Sequence, residues 1–275
     1  MNTRGSLNPQ SDLKTDATHS VLESVISGLI EPRQDAPESY KPTLISNRPG
    51  DLTMHDGISD ALTNSDSFDI SVAFVSPDAI LSLFEDFRSH HANAPEQVSR
   101  LITSTKNHFN DPRAFWELLH LQRTAGVDVR VWAGSDSSVS VAQGQPFHPK
   151  GYVFSRRMRN GTPYYDLFVG SSNLTGAALN TQREWNLKVS SLANGELVAQ
   201  VRDEIDSQIA DSKPLTEEWI KQYEEDFKKY APPRRDILKS LEGREIQPNA
   251  MQKEALASLK KLREKGAVSY THLTL

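Results

Sequence analysis

The chain has 275 residues, 37% hydrophobic and 24% charged, enough to bury the core of one or two domains and too regular a composition for wholesale disorder. A mean hydropathy of −0.54, with no run approaching ~20 apolar residues, excludes a membrane-spanning role. The absence of cysteine excludes disulfides, thiolate metal sites and a cysteine nucleophile. The formal net charge of −5 excludes a uniformly basic coat for nucleic acid but leaves room for a local basic groove.

No apolar signal segment precedes residue 18, so a polar, loosely attached N-terminus and a cytoplasmic location are expected. His19–Ile30 places Val21, Leu22, Val25, Ile26, Leu29 and Ile30 at helical spacing and predicts one short amphipathic helix. Residues 31–42 carry three prolines and read as a linker. From residue 43 the chain becomes regular. A short strand at Thr43–Asn47 and a helix at Met54–Ser65 precede the β-branched and aromatic run Phe68–Ser76, which reads as a buried strand. Pro77–His91 is expected to be one helix with Pro77 in its first turn. Ser99–Thr105 is then a strand, Asp111–Gly126 a helix closed by Gly126, and Val127–Gly134 a strand. This alternation predicts an α/β fold with a sheet covered on its faces. Pro146–Phe154 and Thr162–Gly170 read as a hairpin joined by a polar turn, and Arg183–Ser191 as one more strand. Beyond residue 195 the pattern is helical, at Glu196–Ser212 and Thr216–Tyr230, until Pro232 and Pro233 break it. Gln247–Gly266 is again amphipathic.

The chemistry-bearing residues follow. His148 and Lys150 are two apart on a predicted strand, so both leave one face. Alone, the pair reads as two polar outward positions. Ser171, Ser172 and Asn173 follow the apolar run Leu167–Val169 and have an ordinary reading as helix N-caps. Glu184, opening the next strand, has one as a solvated charge.

Together, His148, Lys150, Ser171, Asn173 and Glu184 resemble the active-site motif of the phospholipase D superfamily. The resemblance is to its His-x-Lys nucleases, including metal-independent restriction endonucleases. In that motif a Gly-Ser-x-Asn turn follows the strand-borne His-x-Lys, and a Glu lies eleven residues beyond the Asn, the spacing of Glu184 from Asn173. The order of upstream elements is similar too, so the resemblance spans about residues 43–195. It implies a phospholipase D-like mixed sheet flanked by helices on both faces, followed by a helical C-terminal extension. One position departs: the full motif has an Asp five residues after the Lys, where this chain has Ser155, and Asp166 in the partner strand does not match by spacing.

The resemblance implies a metal-independent phosphodiesterase with no cofactor. A neutral His148 attacks phosphorus to give a phospho-histidine, and a second imidazole protonates the leaving oxygen and then activates water. Lys150 and Asn173, helped by Ser171, offset charge on the non-bridging oxygens. Glu184 fixes the His148 tautomer. The chain has only one His-x-Lys, and no other histidine sits in such a context. His90 and His91 read as helix-end residues interacting with the dipole, and His120 as a packing residue. A homodimer with one site on its two-fold axis is therefore expected. Arg156, Arg157 and Arg159, in the hairpin turn, are candidates for contacts to flanking phosphates, with a solvated turn as the alternative.

Gln247–Gly266 resembles the entry helix of superfamily 2 helicases, with Gln252 as the adenine-reading residue. No G-x-x-x-x-G-K-[ST] follows. The expected organisation is an N-terminal tail, helix and linker (1–42), the nuclease domain (43–195), a helical connector (196–233), the truncated start of a helicase-like region (234–268) and a non-native tail (269–275). The full-length protein is expected to carry an ATP-dependent helicase domain. DNA is the expected substrate. Two alternatives stay open. One is a catalytically silent DNA-binding or dimerisation module, motivated by Ser155. The other is a phospholipid phosphodiesterase, disfavoured by the single His-x-Lys and the lack of an interfacial helix.

Overall fold

The computed structural model describes residues 9–105, 108–132 and 146–231, together with residues 257, 258, 260 and 261. The chain divides into two compact units, Met1–Pro232 and Pro233–Leu275. In the first, α1 (Pro9–Leu29) is followed by β1 (Thr43–Ile45), α2 (Met54–Thr63), β2 (Ser67–Val72), α3 (Pro77–Ser82), α4 (Phe84–Asn93), β3 (Arg100–Thr103), α5 (Pro112–Ala125) and β4 (Asp128–Trp132). Then come β5 (Lys150–Arg157), β6 (Pro163–Gly170), α6 (Gly176–Asn180), β7 (Asn186–Leu192), α7 (Glu196–Ala210), β8 (Ser212–Pro214) and α8 (Glu217–Tyr230). The strands make one mixed sheet in the order β1-β7-β6-β5-β2-β3-β4-β8. β2, β3 and β4 run parallel, linked by helical crossovers as parallel strands require, and the other neighbours are antiparallel.

Strand alternation sends successive side chains to opposite faces. Leu101 enters the main core with Ile70, Phe154, Phe168 and Val129, whereas its neighbour Ile102 joins Ala73, Phe147 and the α7 residue Ile205 on the other face. Helices thus cover both faces: α2, α3, α5 and α8 supply Ile58, Ile80, Phe115 and Ile220 to one core, and α7 lies on the other. The helix starts follow local chemistry. Thr53 and Asp56 form a reciprocal capping box on α2, the Asp111 carboxylate accepts from the Arg113 N–H on α5, and Gly126 ends α5 at φ 62°.

Several boundaries differ from expectation. α1 begins at Pro9, ten residues early, and Ala17 is buried against Met158 and Tyr164. Proline at the first helical position forfeits only an N–H that would be unpaired anyway. The helix expected over Pro77–His91 breaks at Leu83 (φ −101°, ψ 5°), where the Ser82 hydroxyl donates to the Ala79 carbonyl at 2.9 Å. The stretch expected as a helical connector is built into the α/β unit. β8 pairs with β4 at the sheet edge, and Leu215, Ile220 and Tyr223 enter the main core. The helicase-like segment and its Gln252 lie outside the described residues, save the helical positions 257, 258, 260 and 261. No helix among the described residues is long and apolar enough to cross a membrane.

His120 stacks on Phe84 at 5.1 Å, a packing role as expected. His90 is a correction. It is buried, not a cation at a helix end: Nδ1 lies 3.2 Å from the Leu62 carbonyl, and Nε2 lies 3.1 Å from the Ser99 hydroxyl, which itself accepts from the Phe68 N–H. That arrangement suits a neutral ring protonated on Nδ1, and burial holds its pKa below the ordinary value. The unfolded chain therefore binds the extra proton first. Stability is expected to be full above about pH 6.5 and to fall as pH drops below it, with a slope of at most about 1.4 kcal/mol per pH unit from this group. Urea midpoints from pH 8 to 5 check this, and His90→Gln should flatten the slope.

Candidate active site

The proposed site lies where β2 ends and β5 begins. β5 starts at Lys150, not at Pro146, because Pro149 has no N–H to give to the ladder. His148 therefore sits just outside the strand. The pairing with β2 nevertheless extends one residue beyond Lys150, the Ala73 N–H donating to the Pro149 carbonyl at 3.1 Å. Lys150 Nζ stands 2.9 Å from Nδ1 and 3.2 Å from Nε2 of the His148 ring, and 3.1 Å from the His148 carbonyl oxygen. The imidazole is exposed and the lysine half-buried.

The second cluster lies in the turn after β6. The Ser171 hydroxyl accepts from the Trp185 N–H at 3.0 Å and donates to the Glu184 carboxylate. Sequence reasoning expected Glu184 against the His148 ring; its hydrogen bond in this structure is to Ser171. Gly170 is obligatory, since a Cβ there would come within 2.1 Å of the Trp185 carbonyl oxygen. Ser172, read as an N-cap, is buried, and Asn186 clamps it by accepting from its N–H and donating to its hydroxyl. Beneath the turn, the buried Tyr152 hydroxyl donates to the Ser172 carbonyl at 3.0 Å; burial, and then the charge of Glu184, push its pKa up.

What joins the clusters is the tail of β2. The Phe74 ring meets the His148 ring edge-on at 5.6 Å, while the Phe74 N–H donates to Asn173 Oδ1 at 3.2 Å. The Leu174 N–H donates to the Phe74 carbonyl, and Val75 bridges Leu174 in parallel. One irregular stretch after β2 thus holds both the His148–Lys150 segment and the Ser171–Asn173 turn. With its oxygen bound to backbone, the Asn173 amide presents its NH₂ as the donor to other groups.

Asn110 was missed by sequence reasoning. Fully buried, it accepts from the Val75 N–H at 2.9 Å and donates to the carbonyls of Ser104 (2.6 Å) and Ala73 (3.2 Å). It fixes the same tail from behind, and the Tyr223 hydroxyl of α8 closes on its carbonyl at 2.8 Å. Nothing short of the β2–β3 pairing would reveal it, although a lone Asn before Asp111 is an ordinary turn signal. Asn110→Ala should cost about 1–3 kcal/mol for each buried group it orphans, read as a lowered urea midpoint, together with a loss of any activity that needs the tail in place.

The arginines expected at flanking phosphates are not brought to the site. Arg156, six residues along β5 from Lys150 and so roughly 20 Å away, pairs with the buried Asp166 at 2.8 Å and with Asp60 at 3.3 Å. Burial opposes its charge, but Asp166, Tyr164 and Asp60 together outweigh that and the pKa rises. Arg157 pairs with Asp66 at 2.9 Å, and Arg159 is exposed in the turn. Ser155 lies five residues from Lys150 on the opposite face of β5, in register with Ser67 and Tyr165. Among the described residues no group of three or more His, Asp or Glu is placed to hold a metal ion.

A family model described as "Cardiolipin synthase, PLD-like domain" matches residues 58–209, more than half of the chain. No curated protein sequence matches. Among solved structures, the chain is similar to NucT from Helicobacter pylori (13% identity, 64% of this chain and 99% of that one, TM-score 0.46). It is also similar to a phospholipase D family member, Nuc from Salmonella typhimurium (12% identity, 63% and 97%, TM-score 0.44). A third is polyphosphate kinase from Porphyromonas gingivalis (12% identity, 73% of this chain but 27% of that one, TM-score 0.38).

Proposed function

Because the chain belongs to the phospholipase D-like (PLD-like) domain family, we propose that it is a metal-independent phosphodiesterase cleaving DNA through a covalent phospho-histidine, with one site shared by two copies. The observation that carries this reading is the convergence of the His148–Lys150 segment and the Ser171–Asn173 turn on Phe74. That convergence supports roles for His148 as nucleophile, Lys150 as cation and Asn173 as amide donor at one phosphate.

The chemistry runs in two steps. A nitrogen of His148 attacks phosphorus as the P–O bond to the leaving nucleoside breaks, and the partner's His148 gives that oxygen its proton. Water, deprotonated by the partner's ring, then displaces the histidine and restores the enzyme. Lys150 and the Asn173 NH₂ offset negative charge on the non-bridging oxygens throughout. The Ser171 hydroxyl, held by the Trp185 N–H, donates to Glu184 and keeps that carboxylate at the rim, where it can receive a ring N–H of His148 as substrate binds. A catalytically silent module finds little support, because position 155 lies about 17 Å from Lys150 along the strand. Losing an Asp there leaves every reacting group in place.

The test uses the full chain in excess chelator with a labelled oligonucleotide, quenched in denaturant. The expected result is cleavage with a transient protein–oligonucleotide adduct that is stable to base and lost in acid, as a phosphoramidate should be. Cleavage that requires an added divalent cation, or no cleavage at all, would overturn the reading.

A further inference from the structure

We infer that the site takes single-stranded nucleic acid, with Trp185 and Phe109 as stacking surfaces for bases flanking the scissile phosphate and Arg183 as a contact to a neighbouring phosphate. The inference rests on the phosphodiesterase reading and deepens it. Trp185 is 75% exposed and Phe109 59% exposed. Isolated exposed apolar residues are ordinary on any surface, so the argument is one of placement.

The Trp185 backbone is fixed on the site. Its N–H and carbonyl both bond Ser171, and the Gly170 backbone passes too close to admit a side chain. Continuing the register of β5, β6 and β7 outward sets Pro149, Ser171 and Trp185 abreast. The tryptophan therefore stands two strand spacings, about 10 Å, from the His148–Lys150 segment. On the other side, Phe109 packs on Phe74 at 5.4 Å, and Phe74 packs on His148 at 5.6 Å. The exposed Phe109 and the backbone of the exposed Trp185 thus lie on opposite sides of the His148–Lys150 segment along the sheet, and the exposed Arg183 is two residues from Trp185.

Aromatic faces beside a track for phosphates are the physical equipment for unpaired bases, because every base has a π-face and the guanidinium takes the phosphate between. In a duplex those faces are covered by neighbouring base pairs, and exposing one costs unstacking energy. The arrangement therefore selects single strands without reading sequence. One competing occupant is a second copy of the chain, since Leu187, Val169 and Leu44 continue an exposed apolar strip from Trp185 across β7, β6 and β1.

Binding is measured in the full chain carrying His148→Ala, so that affinity is read without turnover, using a fluorescein-labelled (dT)12 and a duplex of equal length. The single strand is expected to bind at least tenfold more tightly. Adding Trp185→Ala should weaken it by about 5- to 150-fold, Phe109→Ala should weaken it in the same direction, and Trp185→Phe should retain most of the affinity. Equal or tighter duplex binding, single-strand affinity unchanged in both alanine variants, or no binding of either probe overturns the inference. So does a fall in sedimentation coefficient with Trp185→Ala, which would assign the indole to a subunit contact. Hydrolysis of bis(4-nitrophenyl) phosphate by the unsubstituted chain is scored separately. Its failure would remove the phosphodiesterase reading while leaving the binding result interpretable.

Discussion

His148→Ala is expected to lower phosphodiester cleavage by at least about 10³-fold, the largest effect of any single substitution. In a shared site the substitution strikes twice, removing the attacking nitrogen from one copy and the proton donor from the other. General acid–base assistance alone is worth about 10²–10⁴-fold, and the covalent route is lost with it. The ring is exposed and meets the Phe74 ring edge-on at 5.6 Å, so its truncation should leave the urea midpoint within about 0.5 kcal/mol of the parent. Loss of activity without loss of stability is the signature to look for. Mixing then separates a shared site from two independent ones. If parent and His148→Ala chains are exchanged in equal amounts, random pairing leaves about one quarter of the dimers with two histidines. A shared site predicts activity near that quarter, whereas independent sites predict about one half. A chain sedimenting as an active monomer would defeat the two-histidine chemistry directly.

The parts of the fold legible in the sequence are those set by neighbours in the chain. β-branched runs became β2, β3 and β4, and Gly126 closed α5 because only a positive φ lets the backbone turn there. The spacing of His148, Lys150, Ser171, Asn173 and Glu184 was legible too, and the family model is consistent with the resemblance it suggested. What escaped depends on register between distant strands. The bond from Phe74 to Asn173 spans 99 residues and that from Val75 to Asn110 spans 35, and no local pattern announces either. β8 was missed because three residues ending in proline look like a break; an edge strand tolerates that proline, its missing N–H being on no inner ladder. Arg156 was misread for the same reason. In a charged turn its side chain belongs to solvent, but the β5–β6 pairing sets Phe154 opposite Asp166 and so brings a buried carboxylate beside it.

That carboxylate sets the second large effect: Asp166→Ala is expected to destabilise the fold by about 3–5 kcal/mol. Asp166 is fully buried, accepts from the Ser190 hydroxyl, pairs with Arg156 at 2.8 Å and lies 3.7 Å from Lys188. The Arg156 and Lys188 side chains are only 14% and 19% exposed. Deleting the anion leaves two cations facing each other where water reaches them poorly, and the Ser190 hydroxyl loses its acceptor. Buried pairs yield little net stability when both members are replaced together, since the desolvation of both charges is recovered. Asp166→Leu combined with Arg156→Met should therefore cost less than Asp166→Ala alone, and the difference in a double-mutant cycle measures their coupling. Arg156→Ala should in turn lower the urea midpoint, with part of the loss due to its guanidinium, whose central carbon lies over the Tyr164 ring at 5.9 Å. If Arg156→Ala instead left the midpoint unchanged and weakened binding of a labelled oligonucleotide, the arginine would be a phosphate contact after all, and the structural role argued for the hairpin's base would be wrong.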